Sequence, residues 1–315
     1  VVRFGNFAAD AADEQLYQQK NHGEGDILMK KRINVWDVII VAVLLIIAVL
    51  TLYPFIYALA GSFSNGREYD AGEIVWLFPK HFTTASYQVV FADTRLWRAL
   101  LNTLIRTGGG TVIGLLVTSL VAYAMANPDL KGKKIFQGIN LFTMFFSGGI
   151  VPFYMLVNVL GIYDTFWVYI LPNLYSVYNM IVMTNFFKRI PDSFREAAVM
   201  DGAGEFVIWL MIYIPLSKAV FATVGLWLIV MHWNSYMPTL LYTSRKESLW
   251  TLQYYLKVLI RDSGSPSVTG YLAELVSTKT ITFAAMVVAI IPIVLVYPAL
   301  QKYFSKGSLV GAIKE

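Results

Sequence analysis

Side chains that could carry out proton chemistry are scarce in this sequence, and the two of most interest have apolar surroundings. Arg106 and His232 are the ionisable residues that fall inside long apolar blocks. Ionisable groups inside a bilayer are costly and often mark ion or proton pathways. No acidic residue lies mid-block with them, which disfavours a proton-coupled carrier and a voltage sensor. We expect Arg106 to extend its side chain to the outer interface and His232 to be hydrogen-bonded to a neighbour.

The sequence lacks the patterns of nucleotide hydrolysis, metal binding and nucleophilic catalysis. Gly108, Gly109 and Gly110 resemble a phosphate loop, but no Lys-Ser/Thr follows at the required spacing. Gly110 and Gly114 have instead the spacing that lets helix backbones approach closely in lipid. The chain has no cysteine, which excludes disulfides and thiolate sites. We therefore expect no enzymatic activity, no metal site and no cofactor bound by this chain.

A polar connection at 188–218 has the pattern of two short helices joined by a bend. Pro191 and Ser193 suit a helix start, and Asp201-Gly202 suits the bend because glycine accepts positive φ. Apolar residues recur at helical spacing in the second helix, on what we expect to be one face: Phe206, Trp209, Leu210 and Tyr213. Pro215 then ends that helix. A part-apolar knob of this kind predicts docking onto a protein partner.

The elements that must position these residues are membrane spans. Hydrophobic residues make up 57% of the 315 and charged residues 14%, against about 25% charged in a soluble domain. Six apolar blocks are each long enough for the ~20 residues that cross a hydrocarbon core: 38–60, 100–126, 135–160, 165–187, 219–241 and 281–303. We interpret the net charge of +5 as a consequence of membrane topology and not as a nucleic-acid surface.

Basic residues beside the short connections orient these spans. With six spans, one side of the membrane holds four basic groups: Lys30, Lys31 and Arg32; Lys131, Lys133 and Lys134; Lys188, Arg189, Arg195 and Lys218; and Lys302, Lys306 and Lys314. The short connection 161–164 on the other side has no Lys or Arg. The positive-inside rule makes the first side cytoplasmic.

The sequence thus predicts an all-α, polytopic membrane protein with both termini in the cytoplasm. Its predicted parts are a cytoplasmic N-terminal tail (1–34), a six-span domain (35–304) that includes the connection 188–218, and a C-terminal tail (305–315). The C-terminal tail is either a functional extension or a frayed end.

The 188–218 connection contains Glu196-Ala-Ala, three residues, Gly202, nine residues, then Ile212-Tyr-Ile-Pro215. This motif resembles the EAA loop of ATP-binding-cassette (ABC) importer permeases. That family's pattern is Glu-Ala-Ala, three residues, Gly, nine residues, then Ile-x-Leu-Pro, and this chain departs from it by Ile214 in place of Leu. The resemblance implies a coupling helix that docks onto a cytoplasmic ATPase, through Glu196, Ala197, Ala198, Asp201, Gly202, Ala203 and Pro215. Glu196 would pair with a basic residue of the ATPase. Alternatively, Ser193-x-x-Glu196 is a capping box, in which Glu196 bonds a backbone N–H of its own helix.

Other segments from residue 35 onward are similar to carbohydrate-importer permeases of the maltose-permease type. They are Asn102-Thr103, Trp233-Asn234 with Pro238, and the stretches 301–307 and 311–314. Phe146-Ser-Gly-Gly-Ile-Val-Pro152 and Leu160-Gly-Ile-Tyr-Asp164 resemble a subgroup that imports complex glycans, including alginate, which implies an acidic oligosaccharide.

The resemblance also implies a location in the bacterial cytoplasmic (inner) membrane and a set of partners. They are membrane lipid, a second homologous permease, an ATPase subunit dimer that uses ATP and Mg, an extracytoplasmic solute-binding protein and the oligosaccharide. No nucleic acid is implied.

Aromatic and amide side chains in the fourth and fifth blocks are candidates for the sugar path, because sugars bind aromatic faces edged with hydrogen-bonding groups. They are Asn173, Tyr175, Tyr178, Asn179, Trp233 and Asn234. Tyr175 and Asn179 are four apart, so we expect them to share a helix face. The alternatives are that these residues only hold helices together, or that the partner permease holds the sugar. A permease for another solute class, an ATP-independent secondary carrier and a scaffold remain the other functional hypotheses.

Overall fold

The computed structural model describes residues 35–72, 78–261 and 271–312, with side chains as far as residue 295, and that part of the chain is helical. The described residues form no β-strand, only one isolated bridge between Ser64 and Phe82. Two compact units divide after Phe55, and the packing that positions the candidate site lies in the second. The predicted N-terminal tail, 1–34, lies outside the described residues.

The α-helices are α1 (Val35–Ser62), α2 (Gly66–Asp70), α3 (Ala85–Ala92), α4 (Thr94–Ala126), α5 (Lys133–Phe145), α6 (Ile150–Val159), α7 (Val177–Phe187), α8 (Asp192–Met200), α9 (Glu205–Leu216), α10 (Lys218–Asn234), α11 (Leu252–Arg261), α12 (Tyr271–Leu275) and α13 (Thr278–Ala312). Short 3₁₀ turns at Phe166–Tyr169 and Leu171–Asn173 precede α7. A π-helical turn at Thr239–Thr243 follows α10.

Three helices of the described part are long and apolar enough to cross a membrane: α1, α4 and the Thr278–Leu295 part of α13. Three bent pairs of helical segments qualify as well, which raises the number to six if each pair is one span. They are α5 with α6, the 3₁₀ turns with α7, and α9 with α10, bent by 114°, 47° and 87°. The structure thus shows three clear spans, and the predicted number of six is reached if each bent pair is one span.

The third apolar block, the predicted span 135–160, is interrupted and forms two helices instead of one continuous helix. α5 ends at Phe145 and α6 begins at Ile150, with Gly149 between them at φ +85° and ψ 178°. Only glycine adopts that conformation readily, because it has no Cβ. The break therefore follows from the Ser147-Gly148-Gly149 run inside an otherwise apolar stretch.

The fifth block is also shorter as a helix than the predicted 219–241. α10 ends at Asn234, and Ser235 is extended, at φ −85° and ψ 119°. Helical structure resumes at Met237 and Pro238, so Pro238 lies in the first turn of the next helical segment, where its missing backbone N–H costs no hydrogen bond. At the other end of the chain, α13 continues past residue 303 to Ala312, so the predicted tail 305–315 begins inside a helix.

Helix α4 is the centre of the second unit, where it packs on α7, α10 and α11. Gly110 and Gly114 of α4 lie against α10. A Cβ built on Gly110 would lie 2.5 Å from Nε2 of His232, and one on Gly114 would lie 3.6 Å from Cδ1 of Leu228. The predicted close approach of helix backbones at this Gly-xxx-Gly pair is confirmed.

Arg106 and His232 do not have the surroundings that we expected from the sequence. Arg106 is 1% exposed, its Nη1 donates to the carbonyl of Ser235 at 2.8 Å, and its guanidinium lies 5.0 Å from the centre of the Tyr169 ring. Its side chain therefore points into the helix bundle and not to an interface. His232 is fully buried, and neither ring nitrogen has a hydrogen-bond partner in the described part of the chain. Both predictions are wrong. The groups that contact Arg106, the carbonyl of Ser235 and the ring of Tyr169, come from distant parts of the sequence. The ring of His232 lies against Gly110 of α4.

Candidate functional site

The connection 188–218 folds as two helices and a tight bend, as predicted. Gly202 has φ +80°, its N–H donates to the carbonyl of Val199 at 3.0 Å, and the N–H of Ala203 donates to that of Ala198 at 2.9 Å. These two bonds form a Schellman motif, the common way to end a helix with a left-handed glycine. The motif aims α9 back toward the membrane helices. Pro215 lies near the end of α9, which also agrees with the prediction.

The capping-box interpretation of Glu196 is wrong. Helix α8 begins at Asp192 with Pro191 as its N-cap, and its N-terminus has no side-chain cap hydrogen bond in the described structure. Ser193 therefore lies inside the helix and not at the N-cap position that a capping box needs. Glu196 and Ala197 are exposed on α8.

A cluster of charged side chains braces α8 against the rest of the molecule. Nη2 of Arg195 lies 2.6 Å from Oε1 of Glu205 on α9, and its Nη1 lies 3.6 Å from Oδ2 of Asp129. The hydroxyl of Tyr123, near the end of α4, donates to the other carboxylate oxygen of Glu205. Hydrogen bonds from Arg195 and then from Tyr123 lower the pKa of Glu205. The brace links three segments that are separate in sequence.

Sequence reasoning placed Arg195 only in a basic cluster and missed this role. The signal that could have found it is a pair of opposite charges, Arg195 and Glu205, on either side of a predicted glycine bend. Antiparallel helices joined by a short bend bring such residues together.

The second helix of the loop buries a different face from the predicted one. Trp209 and Tyr213 are 4% and 5% exposed, whereas Phe206 and Leu210 are 61% and 40% exposed. Residues Trp209–Tyr213 form a π-helical turn, which is wider than an α-turn and changes which side chains point together. Trp209 and Tyr213 join a core that contains Met183 of α7. The expectation that all four residues share one face is wrong.

Exposed apolar side chains cover the outer surface of this loop, which we call the knob surface: Val199, Met200, Phe206, Val207 and Met211. Of the other residues that the sequence analysis assigned to coupling, Asp201, Gly202 and Pro215 are exposed, and Ala198 and Ala203 are half-buried. An exposed apolar surface on a firmly anchored loop is typical of a protein interaction site.

The predicted sugar-path residues of the fourth block do not form one surface. Tyr175 lies before α7 begins, so it does not share a helix face with Asn179, and its hydroxyl donates to Oδ1 of Asn140 at 2.5 Å. Asn179 is buried, and the Nδ2 of Asn173 donates to the carbonyl of Tyr169 at 3.4 Å. Of these residues, Tyr175 connects the segment before α7 to α5, and the bond of Asn173 stays within the 3₁₀ turns. Tyr178 is exposed.

The adjacent residues of the fifth block, Trp233 and Asn234, have different surroundings. Trp233 is buried in a core that contains Leu256 and Ala285. Asn234 is exposed and lines a cavity of about 590 Å³. The other residues of that cavity are Tyr236, Gln253, Leu256, Lys257, Ile260, Arg261, Met286, Ala289 and Ile290. Asn234 thus lines a cavity with polar and apolar residues, whereas Trp233 is buried in the core.

Sequence reasoning missed most of the polar residues of the cavity because they lie between the fifth and sixth predicted spans, where we predicted no helix. The available signal was the four-residue spacing of Gln253, Lys257 and Arg261, which puts them on one face of a helix. Two residues of α4 hold the start of that helix. Nδ2 of Asn102 donates to the carbonyls of Ser248 and Trp250 at 2.8 and 2.9 Å. Oγ1 of Thr103 accepts from the N–H of Leu252 at 2.8 Å.

Among the described residues, no group of three or more His, Asp or Glu side chains is placed to hold a metal ion. The chemistry that the arrangement supports is recognition: a knob surface for another protein, and a cavity edged with amide, aromatic and cationic groups for a polar solute.

Comparison with known proteins gives a consistent set of similarities. Residues 110–309 match the family model described as "binding-protein-dependent transport system inner membrane component". The polygalacturonan/rhamnogalacturonan transport system permease protein YtcP of Bacillus subtilis is 36% identical over 292 residues, 91% of this chain and 100% of that protein. The protein LplC of the same organism is 36% identical over 89% of this chain and 95% of its own length.

A solved structure is similar as well. One chain of a bacterial ABC transporter involved in the import of the acidic polysaccharide alginate, known from a crystal structure, superposes with a TM-score of 0.80 at 34% identity. The match covers 88% of this chain and 99% of that chain.

Proposed function

This chain belongs to the family of binding-protein-dependent transport system inner membrane components, and from that premise we propose that it is the permease subunit through which an ABC importer moves oligosaccharides, including acidic ones, across the cytoplasmic membrane. A permease subunit of this family is not an enzyme. Hydrolysis of ATP with Mg²⁺ belongs to a separate ATPase subunit, and this chain supplies part of the membrane path.

The observation that carries the proposal is the geometry of the loop 188–218. The motif that resembles the EAA pattern, with Ile214 in place of Leu, lies on two helices that the Schellman bend at Gly202 joins, and Glu196 is exposed on the first of them. The neighbouring knob surface is apolar, with Met200 87% exposed. A secondary carrier has no use for such a loop, whereas an ABC permease needs it to receive force from the ATPase.

The anchoring of the loop supports a coupling mechanism. Arg195 ties α8 to Glu205 of α9, and Trp209 and Tyr213 of α9 are packed in the core with residues of α4, α7 and α10. Packed elements of this kind move as units and do not deform continuously. Closure of an ATPase dimer on the knob would therefore tilt the membrane helices. Binding protein and ATP would then shift the permease pair between inward-facing and outward-facing states.

The basic clusters beside the short connections favour a cytoplasmic position for the loop 188–218 and for both termini. In this topology the segment from Ser235 to Ser277 lies on the extracytoplasmic side. The proposed assembly contains a second, similar permease, two ATPase subunits and a solute-binding protein.

The proposed cargo rests on the relatives. One is named for polygalacturonan and rhamnogalacturonan transport, and the similar crystal structure is of an alginate importer. Arabinooligosaccharide and melibiose/raffinose/stachyose permeases of Bacillus subtilis are more distant, at 25% and 27% identity. The higher similarity favours acidic oligosaccharides over neutral ones.

The test is purification of the chain from its native membrane by an affinity tag, followed by reconstitution of what co-purifies into liposomes. We expect a second permease and an ATPase, and uptake of oligosaccharide that requires ATP and the binding protein. Uptake by this chain alone without ATP would instead establish a secondary carrier. ATP-dependent uptake of a different solute class would support the assignment as an ABC permease and contradict the proposed oligosaccharide cargo.

A further inference from the structure

The cavity beside Asn234 has two unlike walls. One wall is aliphatic and consists of Leu256, Ile260, Met286, Ala289 and Ile290. The other wall is polar and consists of Asn234, Tyr236, Gln253, Lys257 and Arg261. The volume of about 590 Å³ lies within the usual range for small-molecule sites. Sugar units have the same two-sided character, with C–H faces and a hydroxyl edge.

The polar wall includes a row of three side chains on one helix. Gln253, Lys257 and Arg261 follow each other at four-residue intervals along α11, so they share a face and extend over roughly 12 Å of helix axis. The other face of α11 is buried, with Leu252, Tyr255 and Leu259 in the core. Asn102 and Thr103 of α4 hold the backbone at the start of this helix. The row therefore sits on a rigid element.

The charge of this wall is positive and is not neutralised within it. None of the residues that line the cavity is acidic, and no ion pair in the described part of the chain involves Lys257 or Arg261. Nζ of Lys257 lies 4.2 Å from the centre of the Tyr236 ring. A cation–π contact of this kind fixes the position of an ammonium group and leaves its charge available. Two positive groups on one face of a partly apolar cavity favour an anionic ligand.

We propose that this cavity binds a uronate unit of the transported oligosaccharide, with Lys257 and Arg261 on its carboxylate. Asn234 and Gln253 donate to or accept from its hydroxyl groups, and the aliphatic wall packs against the C–H face of the ring. The proposal rests on the proposed function, since it names where an acidic substrate meets this permease. In the proposed topology the cavity lies at the extracytoplasmic end of α10, on the side from which substrate arrives, and the Thr278–Leu295 part of α13 supplies part of its aliphatic wall.

The test measures equilibrium binding to the purified complex of permeases and ATPases without its solute-binding protein, whose own selectivity is thereby removed. The probes are tetragalacturonate and the same tetramer with its carboxyl groups reduced to alcohols, which differ only in charge. Two variants are compared with the wild type. One is the double variant K257Q/R261Q, and the other is the single variant K257R. The control is R98Q, which removes the positive charge of an exposed residue that does not line the cavity.

The wild-type complex is expected to bind tetragalacturonate more tightly than the reduced tetramer. The double variant is expected to weaken binding of tetragalacturonate by about tenfold or more, because hydrogen bonds to charged groups are lost. It should change binding of the reduced tetramer by less than about twofold, while K257R and R98Q leave both near wild type. The difference should shrink as salt increases.

Several outcomes would overturn the site. In the first two, the double variant loses binding of both probes equally, or it binds tetragalacturonate as the wild type does. In the third, the wild-type complex does not prefer the charged probe. In the fourth, the effect occurs only with anionic lipid present, which would indicate a lipid headgroup. Co-purification of the double variant with its partners excludes misfolding as the cause. If ATP-dependent oligosaccharide uptake by the wild type persists in any of these cases, the site is wrong and the proposed function stands. If uptake of every oligosaccharide is absent, the function itself fails.

Discussion

Arg195 and Glu205 form a 2.6 Å ion pair across the bend at Gly202, although they are ten residues apart in the chain. The pair closes the two helices of the 188–218 loop on each other, and Tyr123 attaches it to the central helix α4. We interpret the pair as a mechanical connection between the knob surface and the membrane helices, and not as a major source of stability. Its side chains are partly exposed, and such pairs contribute about 1 kcal/mol or less.

Replacing Arg195 with Gln is therefore expected to lower substrate-stimulated ATPase activity and uptake severalfold, while the free energy of unfolding changes by less than about 1 kcal/mol. The measurement is uptake by reconstituted complex beside thermal unfolding of the same sample. Arg189→Gln is the matched control, since Arg189 is an exposed basic residue of the same connection. Equal activity in the two variants would show that the ion pair does not transmit motion.

The protonation of Glu205 gives a prediction about pH. Hydrogen bonds from Arg195 and Tyr123 lower its pKa in the folded protein, so the ionised form stabilises the folded loop. This contribution is complete above the pKa of an unfolded Glu, about 4.3, and is lost as pH falls through the lower folded value. The difference in thermal stability between wild type and Glu205→Gln should thus be constant from about pH 5.5 to 8 and shrink below about pH 4. A difference that grows on acidification would contradict this assignment.

Glu196 is the exposed acidic residue of α8 that the coupling model places against the ATPase. Glu196→Lys should detach or uncouple the ATPase, because loss of one partner of a buried charge pair at an interface costs about 2–5 kcal/mol. Co-purification of the ATPase with the tagged permease measures this directly. Glu247→Lys makes the same substitution at an exposed residue outside the loop and should have no effect. Normal co-purification and uptake in Glu196→Lys would remove Glu196 from the interface.

Gly202 and Gly204 provide a matched pair for the bend. A Cβ on either residue would meet nothing within 4 Å, but only Gly202 has positive φ, at +80°. Gly202→Ala is thus expected to cost about 1–2 kcal/mol through backbone strain alone, and Gly202→Val more. Gly204→Ala should be close to neutral. ATPase stimulation and co-purification are the readouts, and membrane insertion should be normal in each variant. Wild-type stimulation in Gly202→Val would count against a bent coupling loop.

Features of this molecule that depend on neighbouring residues in sequence could be predicted, and those that depend on distant residues could not. The bend at Gly202 and the end of α9 near Pro215 follow from local conformational preferences, and the apolar blocks follow from composition. The coupling motif has fixed spacing, so its residues could be numbered from the sequence. Its braces could not, since the partners Tyr123 and Asp129 lie in other segments.

The sugar-path candidates show the same limit more sharply. Residue type selected Trp233 and Asn234 equally, yet the first is in the core and the second lines the cavity. The direction of each side chain depends on where α10 ends and how α13 packs on it. Similarly, the π-turn at Trp209–Tyr213 altered the buried face of α9 because tertiary packing of Trp209 and Tyr213 outweighed regular helical periodicity.

Gly110 and Gly108 test the close approach of α4 and α10. A Cβ on Gly110 would lie 2.5 Å from Nε2 of His232, whereas one on Gly108 would meet nothing within 4 Å. Gly110→Ala should therefore force the helices apart and destabilise the permease by about 1–3 kcal/mol, the usual cost of overpacking. Gly108→Ala should not lower the midpoint of thermal unfolding. Because the clash is with the imidazole, the double variant Gly110→Ala, His232→Ala should recover much of the loss. Equal midpoints for the two single variants, or no recovery in the double variant, would mean that His232 does not lie against Gly110 in the membrane.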